Sequence, residues 1–109
     1  MKTHERRPHT SEARRLTIDV VTYARLHGWL VSTHPEAHGG APQLAMVRTT
    51  DEGDNRCVFA RILGPNDRPS RSQVEWIDRI NRVGTLCRPH LSAYAWRPTD
   101  WPSIEELLR

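Results

Sequence analysis

The hydrophobic pattern changes period at Gly28, and that change constrains the fold more than any other feature of the chain. Ala13, Leu16, Val20 and Ala24, with Tyr23 and His27, recur at three- and four-residue spacing, which places them along one face of an α-helix. Thr10 and Ser11 precede this stretch as cap residues and Gly28 closes it, so a first helix is predicted over about 11 to 27. Directly after the glycine, Trp29-Leu30-Val31-Ser32-Thr33-His34 is short and β-prone and stops at Pro35, the signature of a strand. A helix that passes straight into a strand requires both element types to share one core.

The rest of the chain extends that scheme. Residues 34 to 42 contain Gly39-Gly40 and two prolines and read as a loop, after which Gln43 to Arg48 forms an apolar run of strand length, expected to be buried. Thr49 to Asn55 carries turn chemistry, and Arg56 to Leu63 resumes an extended pattern, so the two runs should form a hairpin. Ser70-x-x-Gln73 is a capping box in front of Val74, Trp76, Ile77, Ile80 and Val83, a second helix that Gly84 ends. Thr85 to Cys87 and Ser92 to Trp96 are two strand-like pieces separated by Arg88-Pro89-His90, either one interrupted strand or two with a loop between. Asp100-Trp101-Pro102 opens a short terminal helix. The order gives an α/β domain with a mixed sheet flanked by helices over residues 11–109, preceded by a flexible basic arm over 1–10.

At 109 residues the chain has the size of one domain. Two cysteines, Cys57 and Cys87, are too few for a disulfide framework and read as buried thiols of a reducing compartment, which points to a cytoplasmic protein. No stretch has the apolar length of a membrane span, so no membrane partner is expected. Sixteen basic residues against thirteen acidic give a net charge of +3, a mild bias toward anionic partners. Arg6, Arg7, Arg14, Arg15, Arg25 and Arg71 could contact phosphates, or could simply be solvated.

Several segments together resemble the VRR-NUC family, a branch of the PD-(D/E)xK restriction-endonuclease-like superfamily. They are Tyr23-Ala24-Arg25-Leu26-His27-Gly28-Trp29-Leu30-Val31, Gly40-Ala41-Pro42-Gln43-Leu44-Ala45-Met46-Val47-Arg48, Phe59-Ala60 leading to Ser70-x-x-Gln73 and Trp76, and Trp96-Arg97-Pro98-Thr99-Asp100-Trp101-Pro102. Their order and spacing, over residues 11 to 109, carry the resemblance. It implies a restriction-endonuclease-like mixed sheet and a metal-dependent nuclease site. In that site P-D opens the second strand, E-x-K lies on the third, a Glu sits on the first helix and a Gln begins the helix after the third strand. Clustered carboxylates hold Mg²⁺, which activates water and stabilises charge on the phosphate.

Carried over residue by residue, Pro42 matches the Pro and Gln43 stands at the Asp; Arg61 stands at the Glu and Leu63 at the Lys. Gln73 matches the later Gln, and Glu12 is the closest match to the first-helix Glu, the one metal ligand this reading retains. Without clustered acids a hard cation loses its attraction, and Arg61 adds a positive charge. Lys2, the only lysine, lies in the arm and cannot replace the lost one. Asp51, Glu52 and Asp54 fall at the hairpin tip, expected at the far end of the strands. The resemblance therefore implies a catalytically impaired nuclease fold that binds DNA or RNA, with Arg61 meeting phosphate. The alternatives are an active Mg²⁺- or Mn²⁺-dependent nuclease with an unconventional site, completed for example across a homodimer, and a protein-interaction module on a former nuclease scaffold.

Two other constellations carry less. His34-x-x-x-His38 and Cys87-x-x-His90 are zinc-compatible residue types, but the first pair spans a Pro/Gly loop and no spacing completes four ligands. Trp29, Trp76, Trp96 and Trp101 could stack on bases, yet their positions are those of packing residues.

Overall fold

A computed structural model describes residues 7–34, 39–86 and 90–109, with side chains from Glu12 onward. The elements are α1 (Arg7–Leu26), β1 (Leu30–Thr33), β2 (Leu44–Arg48), β3 (Arg56–Ile62), α2 (Arg71–Gly84), β4 (His90–Trp96) and, after a 3₁₀ turn at Pro98–Asp100, α3 (Trp101–Leu108). The strands form one sheet in the order β1-β2-β3-β4, antiparallel except for the parallel β3–β4 pair. The fold is thus mixed α/β, as the pattern predicts.

The helix starts earlier than expected. Residues 7–10 belong to α1 instead of to an arm, and Pro8 is compatible with this because a first-turn residue needs no N–H partner. Residues 1–6 lie outside the described residues. At its other end α1 closes as the glycine implies: Gly28 adopts a φ of 87°, its N–H donates to the Arg25 carbonyl and the Trp29 N–H to the Ala24 carbonyl, a Schellman arrangement that satisfies the last carbonyls.

Strand alternation divides the sheet into two faces. Leu44, Met46, Val58, Ala60, Ile62 and Trp96 are buried on one face against Leu16, Val20 and Ala24 of α1 and Ile104 and Leu108 of α3. The expectation of a wholly buried second strand is corrected: Leu44 and Met46 are buried, Ala45 is half-buried and Val47 is exposed, because only the α1 face is fully covered. On the opposite face α2 packs chiefly against β4, and none of its side chains is fully buried.

Two contacts fix α2 on that face. Asn81 brackets Ala93, donating from Nδ2 to its carbonyl and accepting from its N–H at 3.0 and 2.9 Å; this closes the outer edge of β4, which would otherwise be free to pair. Gly84 approaches so closely that a Cβ there would lie 1.9 Å from the Leu91 carbonyl oxygen. The two strand-like pieces at 85–87 and 92–96 resolve into one strand beginning at His90, with Thr85 and Leu86 in the turn after α2; Cys87, Arg88 and Pro89 lie outside the described residues. Among the described residues no helix is long and apolar enough to cross a membrane.

Candidate functional site

The segment entering β2 and the end of β3 meet at one end of the sheet, where Gln43 is bonded to both neighbouring strands. Its N–H donates to the Ala60 carbonyl at 3.1 Å and its carbonyl accepts from the His34 N–H at 2.6 Å. Its side-chain Oε1 accepts from the Ile62 N–H at 2.8 Å. Pro42 precedes it without an N–H of its own, so the Gln43 amide extends the ladder by one bond where the backbone no longer can.

Arg61, on the α2 face of β3, donates from Nη1 to the Ala41 carbonyl at 2.9 Å. Ser72 Oγ and Trp76 Nε1 donate to the Gly39 carbonyl from α2. Gly40 has a φ of 82°, and a Cβ on it would stand 2.7 Å from the Gln73 nitrogen, so only glycine permits this approach. Residues 39–43 are thereby strapped across the sheet end and against the first turn of α2. Leu63 is buried at 6% exposure and its N–H donates to the Trp96 carbonyl at 2.8 Å.

Gln73 is the third residue of α2 and completes the capping box: its N–H donates to Ser70 Oγ at 3.1 Å while its Oε1 accepts from the Ser70 N–H at 2.8 Å. Glu12 is exposed, in the second turn of α1, and no acid occupies the first turn. Its groove is shared with Arg15, Asp19, Pro98 and Trp101, a set that excludes Gln43, Arg61 and Gln73. The structure therefore brings Gln43 beside the Arg61–Leu63 stretch and attaches Gln73 to α2 next to Gly40, but it does not gather Glu12 with them. Asp51, Glu52 and Asp54 lie in the β2–β3 connection at the opposite strand ends, and Asp54 pairs with Arg56 at 3.1 Å.

Magnesium and manganese require several oxygen ligands, carboxylates foremost. Here the oxygens of Gln43 and Gln73 already accept backbone hydrogen bonds, Arg61 brings a guanidinium and Leu63 has no donor atom. These residues do not fit either ion. Among the described residues no three His, Cys, Asp or Glu side chains cluster as metal ligands. His34 Nε2 lies 3.1 Å from Ser32 Oγ; of the other zinc-compatible residues, His38 and Cys87 lie outside the described residues and His90 is exposed.

The basic residues divide between the faces. Arg14, Arg15 and Arg25 are exposed on α1, whereas Arg71 is exposed at the start of α2 on the other side of the sheet, with Arg61 at the strand end. Arg6 and the Arg7 side chain fall outside what is described. Of the tryptophans, Trp29 and Trp96 are buried and Trp101 packs against the core, while Trp76 is 45% exposed. Cys57 is half-buried rather than buried, and loss of solvent raises its thiol pKa.

One arginine that the sequence reading passed over is central to the packing. Arg48 Nη1 donates to the carbonyls of His27, Leu108 and Arg109, and its guanidinium lies 4.7 Å from the centre of the Trp29 ring. Trp29 Nε1 also donates to the Leu108 carbonyl, at 2.9 Å. The position in an otherwise apolar strand, facing two helix ends, is the signal that could have identified it. Compared with known proteins, the chain matches no family model and no curated protein.

Proposed function

We propose that this chain is a catalytically impaired nuclease-fold protein, VRR-NUC-like, that binds DNA or RNA through its basic surface. The observation that carries this reading is the meeting of Gln43 with Arg61-Ile62-Leu63 at one sheet end, seen in the Gln43–Ile62 bond of 2.8 Å. These are the positions where the resemblance would place the P-D and E-x-K residues, and they meet in a helix-strand-strand-strand-helix-strand order. Amides, a guanidinium and a buried leucine now occupy that corner and hold it shut through hydrogen bonds. The same residues explain why hydrolysis is lost and what is left. One N–H of Arg61 holds Ala41, and the rest of the guanidinium fork is suited to a phosphate oxygen. Arg71, exposed on the adjoining turn of α2, adds charge on the same side.

The test is incubation of labelled single-stranded and branched DNA with the purified protein and Mg²⁺ or Mn²⁺, with EDTA as control. Intact DNA shifted into a complex is the expected result. Metal-dependent cutting abolished by EDTA would establish the runner-up, an active nuclease with an unconventional site. The third reading, a protein-interaction module, is favoured by one observation: α2 leaves an apolar groove open beside Phe59 and Trp76.

A further inference from the structure

Trp76 stands between two open grooves on the flank of α2. One, of about 500 Å³, has Phe59, Ile80 and Val83 in its lining, and the other, of about 300 Å³, has Ser72 and Glu75; Trp76 and Arg79 border both. Trp29 and Trp96 are buried and Trp101 is half-buried, whereas Trp76 is 45% exposed. Its ring is nonetheless fixed, because Nε1 donates to the Gly39 carbonyl at 3.0 Å. An exposed aromatic ring that is already held in place takes a flat partner with little loss of conformational freedom.

The charges around the ring identify the partner. Arg61 lies on the same face of β3 as Phe59 and two residues beyond it, a separation of about 7 Å along the strand. Arg79 borders the ring from α2, where it pairs with Glu75 at 2.9 Å on the exposed side of the helix, a contact that contributes little and exchanges readily for a phosphate. The phosphates of a strand whose base lies on Trp76 would therefore meet one guanidinium on the sheet and another on the helix. Only an unpaired base can present its face in this way, since a base within a duplex is already stacked and paired. An acidic peptide would satisfy the arginines but bring like charge to Glu75, whereas the exocyclic amino group of a base donates to a carboxylate.

We infer that Trp76 is a stacking platform for an unpaired base, so that the nucleic acid this chain takes is single-stranded; the inference rests on the nucleic-acid reading above. Fluorescence anisotropy in EDTA at low salt tests it with labelled oligonucleotides of equal length: a single strand, its duplex, and an abasic strand that keeps every phosphate. The wild type should bind the single strand about tenfold more tightly than the abasic strand, and more tightly than the duplex despite the greater charge of the duplex. Trp76→Ala should lose about tenfold in affinity for the single strand and nothing for the abasic strand, with the salt slope unchanged because no charge is removed. Trp76→Phe lacks the same bond to Gly39 but keeps a ring, and should retain most of the affinity, which separates stacking from the anchoring of Gly39. The comparison of strands on the wild type holds even if a variant fails to fold. Equal affinity for the base-bearing and abasic strands, a preference for the duplex, or a folded Trp76→Ala that matches the wild type would overturn the inference while nucleic-acid binding stands, leaving the groove to a protein segment. Failure to bind any of the strands would overturn the nucleic-acid reading and this inference with it.

Discussion

Arg48 joins β2 to the ends of α1 and α3 through three carbonyls and the face of Trp29. Hydrogen bonds from a charged donor are worth about 1.5–3 kcal/mol each in favourable cases, and cation–π contact adds about 1 kcal/mol. Because these contacts are coupled, Arg48→Ala should cost about 3 kcal/mol, read as a lower midpoint of urea unfolding. Arg48→Lys should recover less than half, since an ammonium cannot both stack on the ring and reach several carbonyls. Gln43→Ala removes the one acceptor for the Ile62 N–H and should cost about 1–3 kcal/mol by the same measurement. The Cys57 thiol, raised by burial, should react with iodoacetamide more slowly than an unfolded cysteine at mildly alkaline pH. A raised folded-state pKa means the unfolded chain ionises first. Its contribution to stability is therefore complete below the unfolded pKa of a thiol and is lost as pH rises through the folded value.

Helices and turns were the elements most legible in the sequence, because their signals are local. Ser70-x-x-Gln73 gave the start of α2 and Gly28 the end of α1; Ser70→Ala should therefore lower stability by about 1 kcal/mol in thermal unfolding. Gly84 was legible only as a terminator, whereas its stricter role is spatial: Gly84→Ala would drive a Cβ into the Leu91 carbonyl and should cost more than about 2 kcal/mol by forcing α2 off β4. The first turn of α1 is not legible in the sequence, because Arg7, Pro8 and His9 carry no apolar periodicity and a first helical turn needs none. β4 was blurred because strand identity there depends on parallel pairing with β3, a long-range contact that local pattern does not encode.

For the molecule as a whole, the order of elements is enough to anticipate a mixed sheet flanked by helices, and the β2–β3 connection puts its acidic residues away from Gln43 as expected. Local pattern does not encode the roles that Gln43, Arg61 and Gln73 take in the structure. Gln43 as an acceptor for β3, Arg61 as a strap on Ala41 and Gln73 as a cap all depend on partners distant in the sequence or on hydrogen-bond direction. Combining Gln43→Asp, Arg61→Glu and Leu63→Lys disturbs the Gln43–Ile62 bond, removes the Arg61–Ala41 bond and puts an ammonium where Leu63 is buried, so the variant should lose more than about 3 kcal/mol of stability in urea titration. Under the proposed nuclease-fold reading, metal chemistry at this corner would also require opening the segment from Gly39 to Gln43 that closes it.

The most direct test of the central claim is the salt dependence of DNA affinity, measured by fluorescence anisotropy in EDTA for the wild type and for Arg61→Ala. If the basic surface binds phosphates without a metal, log affinity should fall linearly with log salt concentration. Loss of the Arg61 guanidinium should weaken binding uniformly across sequences and reduce the slope by about 1. Absence of binding at low salt, or binding that appears only when Mg²⁺ is supplied, would contradict it.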